Sequence, residues 1–168
     1  HLENLFAPVG EMARTLDVKV SFHPGQFCVL ASDTPDIVER SIEEFEYHAD
    51  MARWMGFGKS FQDGCKINVH ISGKQGPDGI RKALPRLSQE ARNLITIEND
   101  EMGHGLEKSL ELEKDLALVL DIHHDWIRDE EYIEANDDRV KSVIESWRGQ
   151  RPSMHYSYSR DEHLAVAG

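Results

Sequence analysis

The chain has 168 residues, of which 39% are hydrophobic and 30% charged, so it is long enough to bury one core and carries no signature of disorder. Its formal net charge of −12 excludes a generally basic surface that coats nucleic acid, although bound divalent cations can invert the sign at one site. No apolar run approaches the roughly 20 residues that span a bilayer, and the two cysteines form no CxxC pair, so we expect a cytoplasmic protein without a membrane partner.

The first half of the chain alternates helical and strand-like segments. Apolar residues recur at helical spacing over residues 2–16, and the β-branched run at residues 18–23 then predicts a strand. Pro35 marks the first turn of a long amphipathic helix over residues 36–55. Residues 66–71 have the pattern of a second strand, which a Ser-Gly pair closes.

The second half continues this alternation. The predicted segments are a helix over residues 78–91, a strand over 94–100, a helix over 106–114, a strand over 116–121, a helical region over 129–147 and a strand over 153–157. Pro85 lies within the first of these helices or splits it. Strands that alternate with helices at this spacing predict βα units and a parallel sheet, so the fold class is α/β.

Each predicted strand ends on residues that bind metal ions. They are His23, His70, Glu98, Asp121 with the following His123 and His124, and His155. Parallel strands place their C-terminal ends on one face, where barrels and open α/β sheets hold their ligands. Imidazole and carboxylate together suit Zn²⁺ or Mn²⁺, and paired cations can activate water and stabilise a phosphoryl displacement. The pattern predicts a shared metal site that hydrolyses a phosphate ester, with His124 favoured over His123 as the ligand.

In this order, the strand-end motifs resemble those of the UV damage endonuclease family of the UvdE/UvsE type. The matching segments are Phe22–Phe27, Val69–Gly73, Ile97–Glu101, Leu120–His124 and Trp147–Ser157, which span nearly the whole chain. The resemblance implies a TIM barrel with a cluster of divalent ions at its C-terminal face. Manganese is the expected metal, with zinc or magnesium as alternatives. The implied activity nicks duplex DNA immediately 5′ of a UV photoproduct or an abasic site.

The resemblance also assigns individual residues. The implied metal ligands are His23, His70, Glu98, Asp121, His124 and His155. Among them we assign Glu98, Asp121 and His155 as catalytic. Gln26 and Phe27 match a DNA-binding pair that wedges into the space left when the damaged dinucleotide flips out, and the alternative for Phe27 is a core residue below the turn. The implied partner is damaged double-stranded DNA, and we expect no obligate protein partner.

Two substitutions and the chain length depart from the family pattern. Ser153 stands where the family has a lysine close to the metals, and an alternating strand aims Ser153 and His155 the same way. Phe27 replaces a tyrosine and loses only its hydroxyl group. A TIM barrel needs eight βα units and about 250 residues. We therefore expect residues 1–168 to form a single domain, the central portion of an incomplete barrel, as a fragment or as a truncated relative. Its two unpaired sheet edges predict marginal stability or association.

Two other functions remain open at this point. A sugar isomerase or epimerase of the same barrel type also places Glu, Asp and His at strand ends around divalent ions. The His-Pro-Gly-Gln-Phe turn favours the nuclease, because a polyol pocket has no need of a wedge. The third hypothesis is a catalytically impaired fragment that only binds metal, which Ser153 and the missing strands favour.

Overall fold

The computed structural model describes residues 2–157, which form a half-barrel of βα units. The elements are α1 (Glu3–Thr15), β1 (Val20–Phe22), α2 (Pro35–Trp54), β2 (Cys65–His70), α3 (Gly76–Ala83), a 3₁₀ turn (Leu84–Arg86), α4 (Gln89–Leu94), β3 (Ile95–Glu98), α5 (Leu106–Leu110), β4 (Ala117–Asp121), α6 (Ile122–Asp129), α7 (Asp138–Ser146) and β5 (Met154–His155). The five strands form one parallel sheet in chain order. The predicted fold class, an incomplete TIM-type barrel, is confirmed. Within residues 2–157, no helix has both the length and the apolar character needed to cross a membrane.

The strands divide their residues between two unlike faces, because successive side chains of a strand point in opposite directions. The face beneath the helices is apolar and belongs to the main core, which includes Ile67, Val69, Ile95, Ile97, Leu118 and Leu120. The inner face carries Lys66, Asn68 and Thr96, all buried, along β2 and β3. Buried polar side chains therefore line the inside of the half-barrel and lead up to the ends of the strands.

The long helix α2 packs against the sheet, and α1 packs against α2. Phe45, Ala49 and Ala52 are fully buried on the side of α2 that faces the core. The α1 helix crosses the end of α2 at Gly10, where a β-carbon would lie 1.9 Å from the carbonyl oxygen of Met55. This close approach of two backbones requires glycine.

The helices of the second half differ from the predicted ranges. The helix expected over residues 78–91 is split at the turn that contains Pro85, and Ser88 then starts α4 by accepting a hydrogen bond from the backbone N–H of Ala91 at 3.1 Å. The single helical region expected over residues 129–147 is wrong. α6 begins directly after β4 and ends at Asp129, because the next residue, Glu130, has a φ of 57°, and α7 begins only at Asp138.

The register of the sheet places the strand ends in pairs. His70 at the end of β2 is the Cα partner of Glu98 at the end of β3. Asp121 at the end of β4 is likewise paired with His155 at the end of β5. His23 directly follows β1. The topology thus brings the candidate ligands of five strands to one edge of the sheet.

Candidate metal centre

Glu98 lies at the centre of the strand ends and is surrounded by imidazole rings. Its side chain is 1% exposed, and its carboxylate oxygens lie 3.3 Å from Nε2 of His23 and 3.0 Å from Nδ1 of His155. Nδ1 of His124 lies 3.5 Å away and Nε2 of His70 lies 3.9 Å away. The structure therefore brings all four predicted histidine ligands around one buried carboxylate.

Asp121 completes the cluster and also starts α6. Its Oδ1 accepts the backbone N–H groups of His123 at 2.8 Å and of His124 at 3.1 Å, which caps the helix. Its Oδ2 lies 3.4 Å from Nδ1 of His155 and 3.7 Å from Nε2 of His124. Because α6 begins at once, the ring of His124 is directed into the cluster, whereas Nδ1 of His123 is buried without a hydrogen-bond partner among the described residues.

The rings of His23, His70 and His124 are all held by a hydrogen bond at Nδ1, which leaves Nε2 facing the centre of the cluster. Each Nδ1 meets an acceptor outside the centre of the cluster: His23 donates to Pro24 O at 3.0 Å, His70 to Asp100 Oδ2 at 3.0 Å, and His124 to Asn99 O at 2.9 Å. A carbonyl or carboxylate oxygen only accepts, so Nδ1 carries the proton in each ring. The neutral imidazole then offers the Nε2 lone pair, which is the arrangement that orients metal-binding histidines.

The donor atoms form three overlapping triads whose members lie within 4.8 Å of one another. They are His23, His70 and Glu98; His70, Glu101 and His124; and Glu98, Asp121 and His124. Mixed imidazole and carboxylate donors at this spacing suit a divalent cation of the transition series. The cluster could therefore hold a metal ion. His155 contacts Glu98 and Asp121 but belongs to none of these triads of described residues.

The carboxylates of the cluster are held in the ionised form. Burial would raise the pKa of Glu98, but hydrogen bonds from His155 and from the protonated form of His23 hold that pKa well below its ordinary value. Burial likewise opposes ionisation of Asp121, but the hydrogen bonds from His155 and from the N–H of His124 lower its pKa. In return, hydrogen bonds to Asp121 and Glu98 raise the pKa of His155 to about 10. The site carries the negative charge that a cation requires.

Several residues of the centre were missed by the reasoning from sequence. Asn68 donates a hydrogen bond from Nδ2 to Oε2 of Glu98, while its Oδ1 accepts from the hydroxyl of Thr96 at 3.0 Å. Asp100 orients His70 by accepting the hydrogen bond from its Nδ1. Asn68 precedes His70 by two residues and so shares its face of β2, which was an available signal.

The predicted DNA-binding pair lies on the turn that follows β1. The residue Phe27 is 83% exposed, which excludes the alternative of a core residue. Gln26 lines a small cavity together with His70 and Asp100. The turn therefore presents an aromatic ring to solvent beside the cluster of candidate metal ligands.

Ser153 lies on the inner side of the half-barrel. It lines a cavity of about 290 Å³ together with His23, Lys66 and His155. Ser153 and His155 thus open onto the same space, as strand alternation predicts, although β5 itself extends only over Met154–His155.

A family model described as UV-endonuclease UvdE matches residues 1–165 of the chain. The chain belongs to the UvdE family. Its curated relatives include the UV DNA damage endonuclease of Bacillus velezensis, 28% identical over 94% of this chain and 50% of the relative. The UV-damage endonuclease of Schizosaccharomyces pombe is 28% identical over the whole of this chain and 29% of the relative. This UvdE-family chain thus spans half or less of the length of these two relatives.

Solved structures support the fold. The crystal structure of SacUVDE superposes with a TM-score of 0.81 at 24% identity, covering 95% of this chain and 54% of that one. Endonuclease IV from Thermus thermophilus superposes with a TM-score of 0.60 at 16% identity, covering 86% of this chain and 54% of that one. The half-barrel of this UvdE-family chain is thus a fold that larger solved chains share.

Proposed function

We propose that this chain carries the metal centre of a DNA repair endonuclease that nicks duplex DNA immediately 5′ of UV photoproducts and abasic sites. The observation that carries the proposal is the cluster itself, in which three Nε2 lone pairs and two ionised carboxylates face one another at the strand ends of a UvdE-family chain. Divalent ions held there, with Mn²⁺ expected and Zn²⁺ or Mg²⁺ as alternatives, would supply activated water and charge stabilisation for the leaving 3′-oxygen.

The proposed ligands are the six residues identified from sequence: His23, His70, Glu98, Asp121, His124 and His155. Glu98 is buried and oriented by Asn68, so it offers a rigid carboxylate between two strands. Asp121 is fixed by its own role at the start of α6. Rigid donors of this kind hold ions in one geometry without reorganisation during the reaction.

Recognition of damage is proposed to use the exposed apolar side chains beside the cluster. Phe27 and Met102, on the loops that follow β1 and β3, are 83% and 86% exposed. Arg40 lines a cavity next to Phe27 and offers a positive charge for a phosphate group. Apolar wedges of this type enter a duplex where it is already unstacked. Selection would then follow the ease with which damaged DNA bends and unstacks, without base-specific contacts.

A nicking assay tests the proposed activity. A labelled duplex with one abasic site is incubated with the chain and Mn²⁺, and we expect a single nick 5′ of the lesion that a chelator prevents. Glu98→Gln should lower the rate by about 100-fold or more, because the charge at the centre of the cluster is lost. Glu43→Gln makes the same chemical change on an exposed face of α2 and should leave the rate unchanged. Equal cleavage of an undamaged duplex would contradict the proposal.

Phe27→Ala tests the wedge separately from the metal centre. Loss of base–aromatic stacking worth roughly 1–3 kcal/mol should lower nicking of the abasic duplex about 10-fold while Mn²⁺ binding stays the same. Phe27→Tyr keeps the ring and is the matched control, with a rate close to that of the unchanged chain. A Phe27→Ala variant that nicks at the full rate would remove Phe27 from recognition.

A second candidate is a chain that binds metal without cutting DNA. Ser153 favours it, because a neutral hydroxyl group stands in the cavity that His155 also lines. If the chain binds Mn²⁺ but does not nick, Ser153→Lys in a full-length context should restore cleavage. The sugar isomerase is less well supported, since the family match names an endonuclease; incubation with a sugar panel and Mn²⁺ should give no conversion.

A further inference from the structure

Glu101, in the loop after β3, holds a carboxylate oxygen in an unusual position. Its Oε2 atom is buried and has no hydrogen-bond partner among the described residues. The same atom lies 3.2 Å from Nε2 of His124. Burying a carboxylate oxygen without a hydrogen-bond donor costs folding free energy. Because no protein N–H reaches this oxygen among the described residues, another kind of partner would stabilise it.

The neighbouring ring cannot be that donor in its neutral form. Nδ1 of His124 donates to the carbonyl oxygen of Asn99, which leaves Nε2 with a lone pair. With the ring neutral, two electron-rich atoms, Nε2 of His124 and Oε2 of Glu101, face each other at 3.2 Å. A cation that both atoms bind would relieve this repulsion.

A third donor lies beside these two atoms. His70 has its Nδ1 proton committed to Asp100, so its Nε2 lone pair is also free. The rings of His70 and His124 are 5.1 Å apart, and one donor atom from each ring and one from Glu101 lie within 4.8 Å of one another. Two imidazoles and one carboxylate make a site with three protein ligands, which leaves a position open for water or a phosphate oxygen.

We propose that Glu101 is a metal ligand that holds a divalent cation together with His70 and His124. This triad shares His70 and His124 with the two triads that contain Glu98. It lies on the more exposed side of the cluster, since the Glu101 side chain is 31% exposed and that of Glu98 only 1%. The inference rests on the proposed metal-dependent function and adds to it a ligand beyond the six taken from sequence.

The test is a Mn²⁺ titration of the metal-free chain, with the free ion measured by electron paramagnetic resonance. Glu101→Gln keeps the shape of the side chain and removes its charge. We expect this variant to lose one bound ion or to bind it at least about 10-fold more weakly. Changes to residues that only orient metal ligands already weaken metal binding by about 10-fold or more. Glu43→Gln is the matched control and should titrate like the unchanged chain. Circular dichroism confirms that each variant is folded, and Glu101→Asp, which keeps the charge, replaces Glu101→Gln if the latter does not fold; it should bind the ion more weakly because its carboxylate is one methylene further back.

The outcomes separate this inference from the proposed function. An unchanged chain that binds no Mn²⁺ would overturn the metal-dependent function as well as the ligand role of Glu101. Full Mn²⁺ binding by the Glu101 variant would overturn the ligand role alone. A variant that is less stable without metal yet titrates normally would show that Glu101 only forms an ion pair with His124, which also overturns the ligand role.

Discussion

At the scale of single residues, Lys66 shows what the inner face of the half-barrel demands. Its side chain is buried, and its Nζ donates to the carbonyl oxygens of Phe61 at 2.5 Å and Cys65 at 3.1 Å. The ammonium group also lies 4.2 Å from the centre of the Phe61 ring. Burial lowers the pKa of Lys66 to about 8, since these partners replace only part of the lost hydration.

This lowered pKa predicts a pH-dependent stability. Below pH 8 Lys66 is charged in both the folded and the unfolded state, so the full free-energy cost of burying its charge opposes folding. As the pH rises from 8 towards 10.5 the unfolded chain binds more protons, so wild-type stability should increase by roughly 3 kcal/mol relative to Lys66→Met. Urea unfolding at both ends of this range measures the difference. The exposed Lys59→Met is the control without such a change, and a constant difference between wild type and Lys66→Met would refute the prediction.

At the scale of elements, the contact between α1 and α2 depends on one glycine. The Met55 carbonyl oxygen lies where a β-carbon of residue 10 would be, and it also accepts a hydrogen bond from Nη1 of Arg14 at 2.8 Å. The end of α2 is thus bound to α1 by backbone proximity and by one side chain. A pattern of hydrophobic residues in the sequence cannot predict this contact, because glycine contributes no side chain to the pattern.

Gly10→Ala should therefore destabilise the protein although alanine is the better helix former. The gain in helix propensity is about 1 kcal/mol, but displacing α1 from Met55 should cost more and leave a net loss of about 1–3 kcal/mol. Chemical denaturation followed by circular dichroism gives the value. Glu11→Ala, on the exposed side of the same helix, should be neutral or slightly stabilising. Equal or higher stability of Gly10→Ala would show that the two helices separate without cost.

At the scale of the whole molecule, the half-barrel leaves surfaces that a closed barrel would cover. Among the described residues, β1 pairs only with β2, and β5 only with β4. The outer side of α1 exposes Leu5, Val9 and Met12, and Leu16 follows directly after the helix; each is more than half accessible to solvent. Open strand edges beside an apolar helix face promote association between chains. That the chain is one domain from the centre of a longer barrel stays a prediction.

We expect this 168-residue chain to associate with itself as its concentration rises. Sedimentation velocity over a wide concentration range would show the change in mass. Leu5→Glu combined with Met12→Glu places two charges on the apolar side of α1 and should shift the chain towards the monomer. Lys59→Glu changes the net charge by the same amount elsewhere and should have little effect. A chain that stays monomeric throughout would contradict the expectation.

Much of the candidate site follows from local patterns along the chain. Alternating strands and helices imply parallel pairing, and parallel pairing brings His70, Glu98 and Asp121 to one edge whatever the details of packing. The boundaries of the helices after β4 were not accessible in this way. Asp121 both ends β4 and caps α6. A sequence pattern that assigns the end of the strand and the start of the next helix to different residues begins that helix at residue 129, seven residues too late.

The tertiary structure decides which nitrogen of each ring faces inward and which carboxylate oxygens lack a donor. Asn68 reaches Glu98, and Asp100 reaches His70, across 30 residues of chain. The buried oxygen of Glu101 likewise meets His124 only after the β3 loop has folded against α6. Residue types and their spacing could indicate a metal-binding edge, because periodicity is a local property. The orientation of the ligands depends on hydrogen bonds between distant segments, and these exist only once the strands are paired and the helices are packed.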